Sequence, residues 1–169
     1  MNLTENDALK TYAKMMNTLD ATCFAPILAE DFVYESQSVI TSIKSKQDFL
    51  EYITKKLEII STMKATVYAE FGHVNAFGRE RPCVILAQDD KDTLQALALA
   101  TVSNNRLKRI DLCIIPPPES AKRSGKYPKI EASAAIQNII TKTAFHHIRI
   151  GISSERIIEG RANQVLNAI

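Results

Sequence analysis

The residues best suited to chemistry lie in the segment RLKRIDLCII, residues 106–115. If this segment is a strand, Arg109 and Asp111 lie two residues apart and share one face. A carboxylate held in apolar surroundings can have a raised pKa and act as an acid or base, so Asp111 is a candidate catalytic residue. Arg109 is then a candidate ligand-binding residue. The alternative is a structural ion pair at a rim or dimer interface, which we expect if the more apolar Ile110 and Leu112 face packs inward.

Tyrosine hydroxyls are further candidates for ligand binding, at Tyr12, Tyr34 and Tyr52. The alternative is that these tyrosines are core residues with a hydroxyl at the edge. Adjacent residues diverge on a helix or a strand, so His146 and His147 do not form a metal pair, and we predict no metal site. The five glycines are isolated and make no phosphate-binding loop, so no cofactor is predicted.

Composition and length predict an ordinary soluble protein with one domain and an appendage. The chain has 169 residues, of which 46% are hydrophobic and 24% charged. It contains neither an apolar run of about 18 residues nor a secretion signal, so we predict no membrane partner. Cys23, Cys83 and Cys113 are odd in number and widely spaced, which favours a reducing cytoplasm. Cys83 and Cys113 are expected to behave as small buried hydrophobic residues.

The net charge of +2 is unevenly distributed. Residues 1–115 carry −2 and residues 116–169 carry +4. A basic excess confined to the tail is more typical of a solvated linker than of a folded nucleic-acid-binding face, so no nucleic-acid partner is predicted.

Helical periodicity predicts three N-terminal helices. The first begins after a capping box at Thr4, a short second one after Asp20, and the third after Ser45. A strand over Phe32–Ser36 separates the second helix from the third.

From residue 65 the period changes to that of strands. One strand is expected to end at Gly72, and further strands follow at Pro82–Gln88, Thr93–Val102 and Leu107–Ile115. The strand at Thr93–Val102 is apolar on both faces, and helices cover only one of them. A homodimer formed through the sheet is the simplest cover for the other face.

The LAEDFVYESQ segment and the KQDFLEYI helix resemble the nuclear transport factor 2-like superfamily, in its SnoaL-like branch, over about residues 4–116. The resemblance implies an α+β fold in which a cone-shaped, curved antiparallel sheet wraps on the three helices and encloses a cavity. Members include isomerases, cyclases, dehydratases, epoxide hydrolases and non-catalytic binding domains, so the fold does not specify a reaction.

The resemblance also directs attention to the end of the first strand. The general base of the ketosteroid isomerases in this superfamily aligns with Ser36, and Glu35 lies beside it. Their second carboxylate aligns near Leu97–Leu99, where nothing can donate a hydrogen bond, so ketosteroid isomerase activity is not expected. Glu35 remains a second candidate catalytic residue and Ser36 a candidate ligand-binding residue.

The tail departs from that superfamily. We predict a domain over residues 1–116, a linker over 117–130, and a helix–strand–helix extension over 131–169 that docks on its own or a partner subunit. The ending RANQVLNAI is similar to the ends of proteins encoded on integron gene cassettes, which implies a bacterial protein.

The sequence therefore predicts a cytoplasmic homodimer whose cavity binds a small, largely apolar molecule. If it is an enzyme, Asp111 or Glu35 would perform acid–base isomerisation, cyclisation or dehydration. The alternative is a non-catalytic, homo-oligomeric interaction domain. A closed cavity that holds at least one inward carboxylate favours the first hypothesis, and a cone filled by side chains favours the second.

Overall fold

A computed structural model describes residues 2–37 and 42–125. The predicted extension over 131–169 lies outside these residues, as does the segment that carries the integron resemblance. Two α-helices pack on one side of a six-stranded sheet, which confirms the predicted α+β architecture with a curved, open sheet.

Both α-helices begin where their capping residues predict. Helix α1 spans Glu5–Thr18, and its capping box is complete: the Thr4 hydroxyl accepts from the Asp7 N–H, and the Asp7 carboxylate accepts from the Thr4 N–H, both at 3.2 Å. Helix α2 spans Lys46–Thr62, and the Ser45 hydroxyl accepts from the Asp48 N–H at 3.0 Å. Both helices thus begin at local hydrogen bonds that can be predicted from the sequence.

The predicted second helix is replaced by two single 3₁₀ turns, Ala21–Cys23 and Ala25–Ile27. Asp20 caps the first turn by accepting from the Thr22 N–H at 2.9 Å. Pro26 lacks an N–H and lies inside the second turn, so a continuous helix cannot form there.

The sheet has the strand order β1-β5-β4-β3-β2-β6. Every neighbouring pair is antiparallel except β1 and β5, which are parallel. The strands are β1 Leu28–Ser36, β2 Val67–Ala76, β3 Arg79–Gln88, β4 Leu94–Ser103, β5 Arg106–Cys113 and β6 Lys122–Arg123.

The prediction that Gly72 ends its strand is wrong. Gly72 lies inside β2 opposite Cys83, and the strand continues to Ala76 before a two-residue turn leads into β3. A Cβ atom at Gly72 would lie 2.7 Å from the carbonyl oxygen of Lys122. Glycine is therefore required here for the close approach of β6, and it does not terminate the strand.

The sheet has one face against the helices and one face away from them, which we call the outer face. Side chains of α1, α2 and the strands form the helix-side core. A second cluster contains strand residues only and occupies the outer face: Val74, Ala76, Cys83, Ile85, Leu97, Leu99 and Cys113. Ile110 and Leu112 belong to the helix-side core, so the Arg109 and Asp111 face of β5 points outward.

The chain itself contributes cover for the outer face. After β5, a 3₁₀ turn at Pro118–Ser120 lies against β4, and Ala121 packs on the outer-face cluster. Leu97 and Leu99 are fully buried. The two-sided apolarity of β4 therefore does not by itself require a second subunit.

Glu70 is a buried carboxylate beneath the last described residues. Its Oε2 accepts from Arg123 Nε at 2.7 Å, and its Oε1 accepts from the Gly125 N–H at 2.6 Å. These bonds satisfy a side chain that is only 3% exposed. The division of the chain at residue 116, with a linker over 117–130, stays a prediction.

Candidate functional site

An open groove of about 490 Å³ lies on the outer side of the sheet, where β1 and β5 end. Its volume is within the range of about 300–1,000 Å³ that small-molecule sites occupy. The lining side chains mix polar, charged and apolar groups: Glu35, Ser36, Gln37, Ser42, Phe77, Arg109, Asp111, Leu112 and Cys113. Four residues singled out from the sequence (Glu35, Ser36, Arg109 and Asp111) are therefore neighbours in the fold.

Parallel pairing of β1 and β5 brings the charged residues of the groove together. Glu35 is the register partner of Asp111, and Arg109 lies two residues before it on the same face. Arg109 Nε donates to Asp111 Oδ1 at 2.8 Å, and Arg109 Nη2 donates to Glu35 Oε2. We call this group the carboxylate–arginine cluster. Its hydrogen bond to Asp111, then the charges of Asp111 and Glu35, raise the pKa of Arg109 against the opposing effect of partial burial.

Each carboxylate of the cluster uses one oxygen on Arg109. Among the described residues, neither Glu35 Oε1 nor Asp111 Oδ2 makes a hydrogen bond. The side chains are 44% and 22% exposed, so a small molecule in the groove can reach them. An ionised carboxylate oxygen of this kind accepts hydrogen bonds or a proton.

Gln37 holds the edge of the groove in place. Its Oε1 accepts from the N–H groups of Ile114 and Ile115 at 2.7 and 2.9 Å, and its Nε2 donates to the Ile115 carbonyl at 3.2 Å. These bonds join the end of β1 to the chain that leaves β5. Gln37 was not singled out from the sequence, because its partners are 77 or 78 residues away.

Cys113 contributes a thiol to the groove, but that thiol is not a nucleophile at neutral pH. Cys113 and Cys83 are buried, as the sequence predicted. Burial raises the pKa of Cys113 to about 11 and that of Cys83 to about 12, so both remain protonated.

The three candidate tyrosines lie on the other side of the sheet. Tyr12 packs edge-on against Phe24 with ring centroids 5.6 Å apart, and Tyr34 lies at the same distance from Tyr52. Tyr12 and Tyr34 are almost fully buried, and burial raises the pKa of both hydroxyls. The residues proposed from the sequence as one site thus fall into two groups, one on each face of the sheet.

Lys56 belongs to the tyrosine group and was missed in the sequence. Only 3% of it is exposed, its Nζ lies 3.3 Å from the Tyr52 hydroxyl, and burial lowers its pKa to about 8. Lys56 follows Phe49 by seven residues, two helical turns, and so lies on the buried stripe of α2. That spacing was the available signal, but a lysine is normally assigned to the solvent face.

Phe77 and Arg81 were also missed. Phe77 lines the groove and is 78% exposed. The Arg81 guanidinium lies 6.0 Å from its ring centroid and donates to the Ala100 carbonyl at 2.7 Å. Arg81 Nη2 also donates a longer hydrogen bond to Glu5 Oε1, at 3.4 Å.

Two features are absent from residues 2–37 and 42–125. No group of three or more His, Cys, Asp or Glu side chains there is placed to hold a metal ion. No helix in the same part of the chain has the length and apolarity needed to cross a membrane.

No protein-family model matches the sequence, and neither does any curated protein. Solved structures with a similar fold include an NTF2-like protein of unknown function from Cytophaga hutchinsonii, at 11% identity and a TM-score of 0.47 over 69% of this chain and 96% of that one. An LEH-like epoxide hydrolase from M. tuberculosis matches at 13% identity and a TM-score of 0.45, over 66% and 84% of the two chains. An uncharacterized cystatin fold protein from Novosphingobium aromaticivorans matches at 9% identity and a TM-score of 0.47. The match covers 66% of this chain and 98% of that one.

The superfamily named from the sequence thus recurs among the structural neighbours. At these identities and TM-scores the likeness carries no information about substrate or reaction.

Proposed function

We propose that this protein binds a small organic molecule in the outer groove and acts on it by proton transfer through Glu35 or Asp111. The observation that supports this proposal is the convergence of the carboxylate–arginine cluster on an open groove, with one oxygen on each carboxylate that bonds to no described residue. A concave site with a few convergent polar groups is the usual form of a small-molecule site.

Arg109 positions the two carboxylates. Its planar guanidinium donates to one oxygen of each, which leaves the other oxygen of each group for the substrate. Isomerisation, cyclisation and dehydration each require that a proton be removed from one atom and returned to another. One carboxylate can accept that proton, and its conjugate acid can return it, without any further group.

The ligand is expected to be less apolar than the sequence predicted, because charged side chains and hydroxyls make up part of the groove wall. Apolar contact is supplied by Phe77. Ser36 is proposed to orient the ligand from the end of β1. If Tyr12, Tyr34 and Tyr52 bind a ligand, they do so at a separate position on the helix side of the sheet.

The test begins with a thermal-shift screen of small organic molecules, since any ligand of the folded state raises its melting temperature. Each hit is then measured on Asp111→Asn, which keeps the side-chain shape and removes the charge. We expect turnover of a substrate to fall by about 10²–10⁴-fold, while the melting temperature without ligand stays within a few degrees.

Asp31→Asn is the matched control. Asp31 also forms an ion pair with a residue of β5, because Lys108 Nζ lies 2.5 Å from Asp31 Oδ1. Asp31 does not line the groove. The proton-transfer proposal would be refuted if Asp111→Asn and Glu35→Gln both turned over substrate as fast as Asp31→Asn.

A second candidate function is a homo-oligomeric interaction domain. It is favoured by Ile114 and Ile115, which follow the groove residue Cys113 and are 43% and 76% exposed. Light scattering of the purified chain at micromolar concentration tests it. A dimer that dissociates in Ile115→Asp supports an interface at this position, and a monomer in both chains rules it out.

A further inference from the structure

Phe77 occupies a backbone position that is unfavourable for a phenylalanine. The two-residue turn between β2 and β3 is Phe77-Gly78, with φ angles of +54° and +77°. Asn, Asp or Gly normally occupy the first position of such a turn, because a Cβ atom makes positive φ costly. Packing of the ring offsets little of this conformational free energy, since the residue is 78% exposed. The Arg81 guanidinium lies 6.0 Å from the ring centroid.

The described groove is acidic. Of its lining residues, Glu35 and Asp111 are negative and Arg109 is positive, which leaves a net charge of −1. The nearby Arg81 guanidinium does not change this balance, because it is paired with Glu5 at 3.4 Å. A molecule with a positive charge is therefore favoured over an anion at this site.

The hydrogen-bonding capacity of the cluster leads to the same conclusion. Arg109 already uses Nε and Nη2 on the two carboxylates, whereas Glu35 Oε1 and Asp111 Oδ2 are unbonded among the described residues. The two carboxylates thus present acceptor oxygens to the groove. An ammonium group has only donors, so it is complementary to both the charge and the unbonded oxygens.

We propose that the ligand is an organic amine, with its ammonium group on Glu35 and Asp111 and a flat apolar group on the ring of Phe77. This inference rests on the proposed function of the groove and adds the chemical class of the ligand. The exposed Phe77 ring lines the same groove as the two carboxylates, so it can stack on the flat group of such a molecule.

The probes are three molecules of one shape and different charge: 2-phenylethylamine, 2-phenylethanol and 3-phenylpropanoate. Binding to the full chain is measured by calorimetry at pH 7 and low ionic strength. The amine should bind at least about tenfold more tightly than the alcohol, since a charge-assisted hydrogen bond exceeds a neutral one by about that factor. The carboxylate should bind most weakly. A fourth probe, n-butylamine, has the charge without the ring and should bind more weakly than 2-phenylethylamine.

Phe77→Asn separates ligand contact from folding. Asparagine tolerates the positive φ of this turn, so the variant should melt at the same temperature as the native chain or higher. It should nevertheless lose most of its preference for 2-phenylethylamine over n-butylamine. Asp111→Asn should reduce the preference for amine over alcohol, and Asp31→Asn should leave both preferences unchanged.

The amine assignment is overturned if the alcohol or the carboxylate binds as tightly as the amine, or if Phe77→Asn leaves the four affinities unaltered. In that case a neutral or anionic hit from the thermal-shift screen that depends on Asp111 would leave the proposed function standing. If no compound of any charge class binds in a way that depends on Asp111 or on Glu35, both proposals fail.

Discussion

At the scale of single residues, Lys56 and the carboxylate–arginine cluster show two ways of placing charge in this domain. The cluster lies at the edge of a groove, where its members neutralise one another in part. Lys56 is instead enclosed by the aromatic side of the molecule, and its amine has the Tyr52 hydroxyl at 3.3 Å and the Tyr52 ring centroid at 5.6 Å. Burying an ammonium group in such surroundings opposes folding.

Replacing Lys56 by methionine should therefore stabilise the protein, by about 1–3 kcal/mol at pH 7. The reason is the pKa of the amine, which burial lowers from 10.5 to about 8. Between these two pH values the amine is protonated in the unfolded chain and neutral in the folded chain. The free-energy cost of burying Lys56 therefore decreases as the pH rises from about 8 to about 10.5. The advantage of the Lys56→Met variant should shrink over the same range.

Urea unfolding of both chains at pH 7 and pH 9.5 measures this difference. Lys55→Met is the control, because Lys55 is the neighbouring lysine with a side chain 65% exposed and a surface ion pair to Glu51. It should change stability by no more than about 0.5 kcal/mol. A Lys56→Met variant less stable than the native chain at pH 7 would show that the amine is held by favourable interactions.

At the scale of elements, β6 depends on a glycine in the strand that it pairs with. Gly72 and His73 are the register partners of Arg123 and Lys122. In Gly72→Ala, the new methyl group would meet the Lys122 carbonyl at 2.7 Å and Ile85 Cδ1 at 3.1 Å. Because the first contact is with backbone, β6 must move, and we expect a loss of about 1–3 kcal/mol.

Amide hydrogen exchange at Lys122 and Arg123 gives the specific measurement. Gly78→Ala is the control, since a methyl group there meets nothing within 4 Å but is strained by a φ of +77°. Both variants should be less stable, whereas only Gly72→Ala should accelerate exchange at β6. Unchanged exchange in Gly72→Ala would mean that the strand adapts to the methyl group.

The same elements show what sequence reasoning can and cannot provide. The starts of α1 and α2 were predicted because Thr4 and Ser45 bond to N–H groups three residues away. The role of Gly72 was misread because the contact that requires glycine comes from a residue 50 positions later. The turn at Phe77-Gly78 was missed because phenylalanine is not a turn residue.

Strand pairing explains why the candidate site was predicted only in part. The Arg109 and Asp111 pair follows from alternation along one strand, which the sequence shows directly. Glu35 joins them through the parallel pairing of β1 with β5, which spans more than 70 residues. Tyr12, Tyr34 and Tyr52 were assigned to the same site because the sequence does not show which face of the sheet packs against the helices. Tyr12 and Tyr52 lie on those helices, and the charged cluster lies on the opposite face of the sheet.

At the scale of the whole molecule, the chain covers part of its own outer face. Residues 118–125 cross from the end of β5 to the edge of β2, and Arg123 Nε bonds the buried Glu70 at 2.7 Å. Removing this segment would leave an uncompensated carboxylate and an uncovered apolar cluster.

We therefore expect a chain that ends at Pro118 to be less stable than one that ends at Gly125, by about 2–4 kcal/mol. Both chains lack residues 126–169, so their difference reports on residues 119–125 alone. Thermal melting and size exclusion of the two chains give the result. Equal melting temperatures would show that this segment is not part of the stable fold.

The central claim is that the ligand binds in the outer groove and not among the helix-side tyrosines. Hydrogen–deuterium exchange of the full chain, with and without a ligand identified by the thermal-shift screen, maps these positions in one experiment. Slower exchange should appear in peptides covering residues 33–37 and 109–115, with little change in those covering Tyr12 and Tyr52–Lys56. Protection confined to α1 and α2, with the ends of β1 and β5 unaffected, would contradict the assignment of the site.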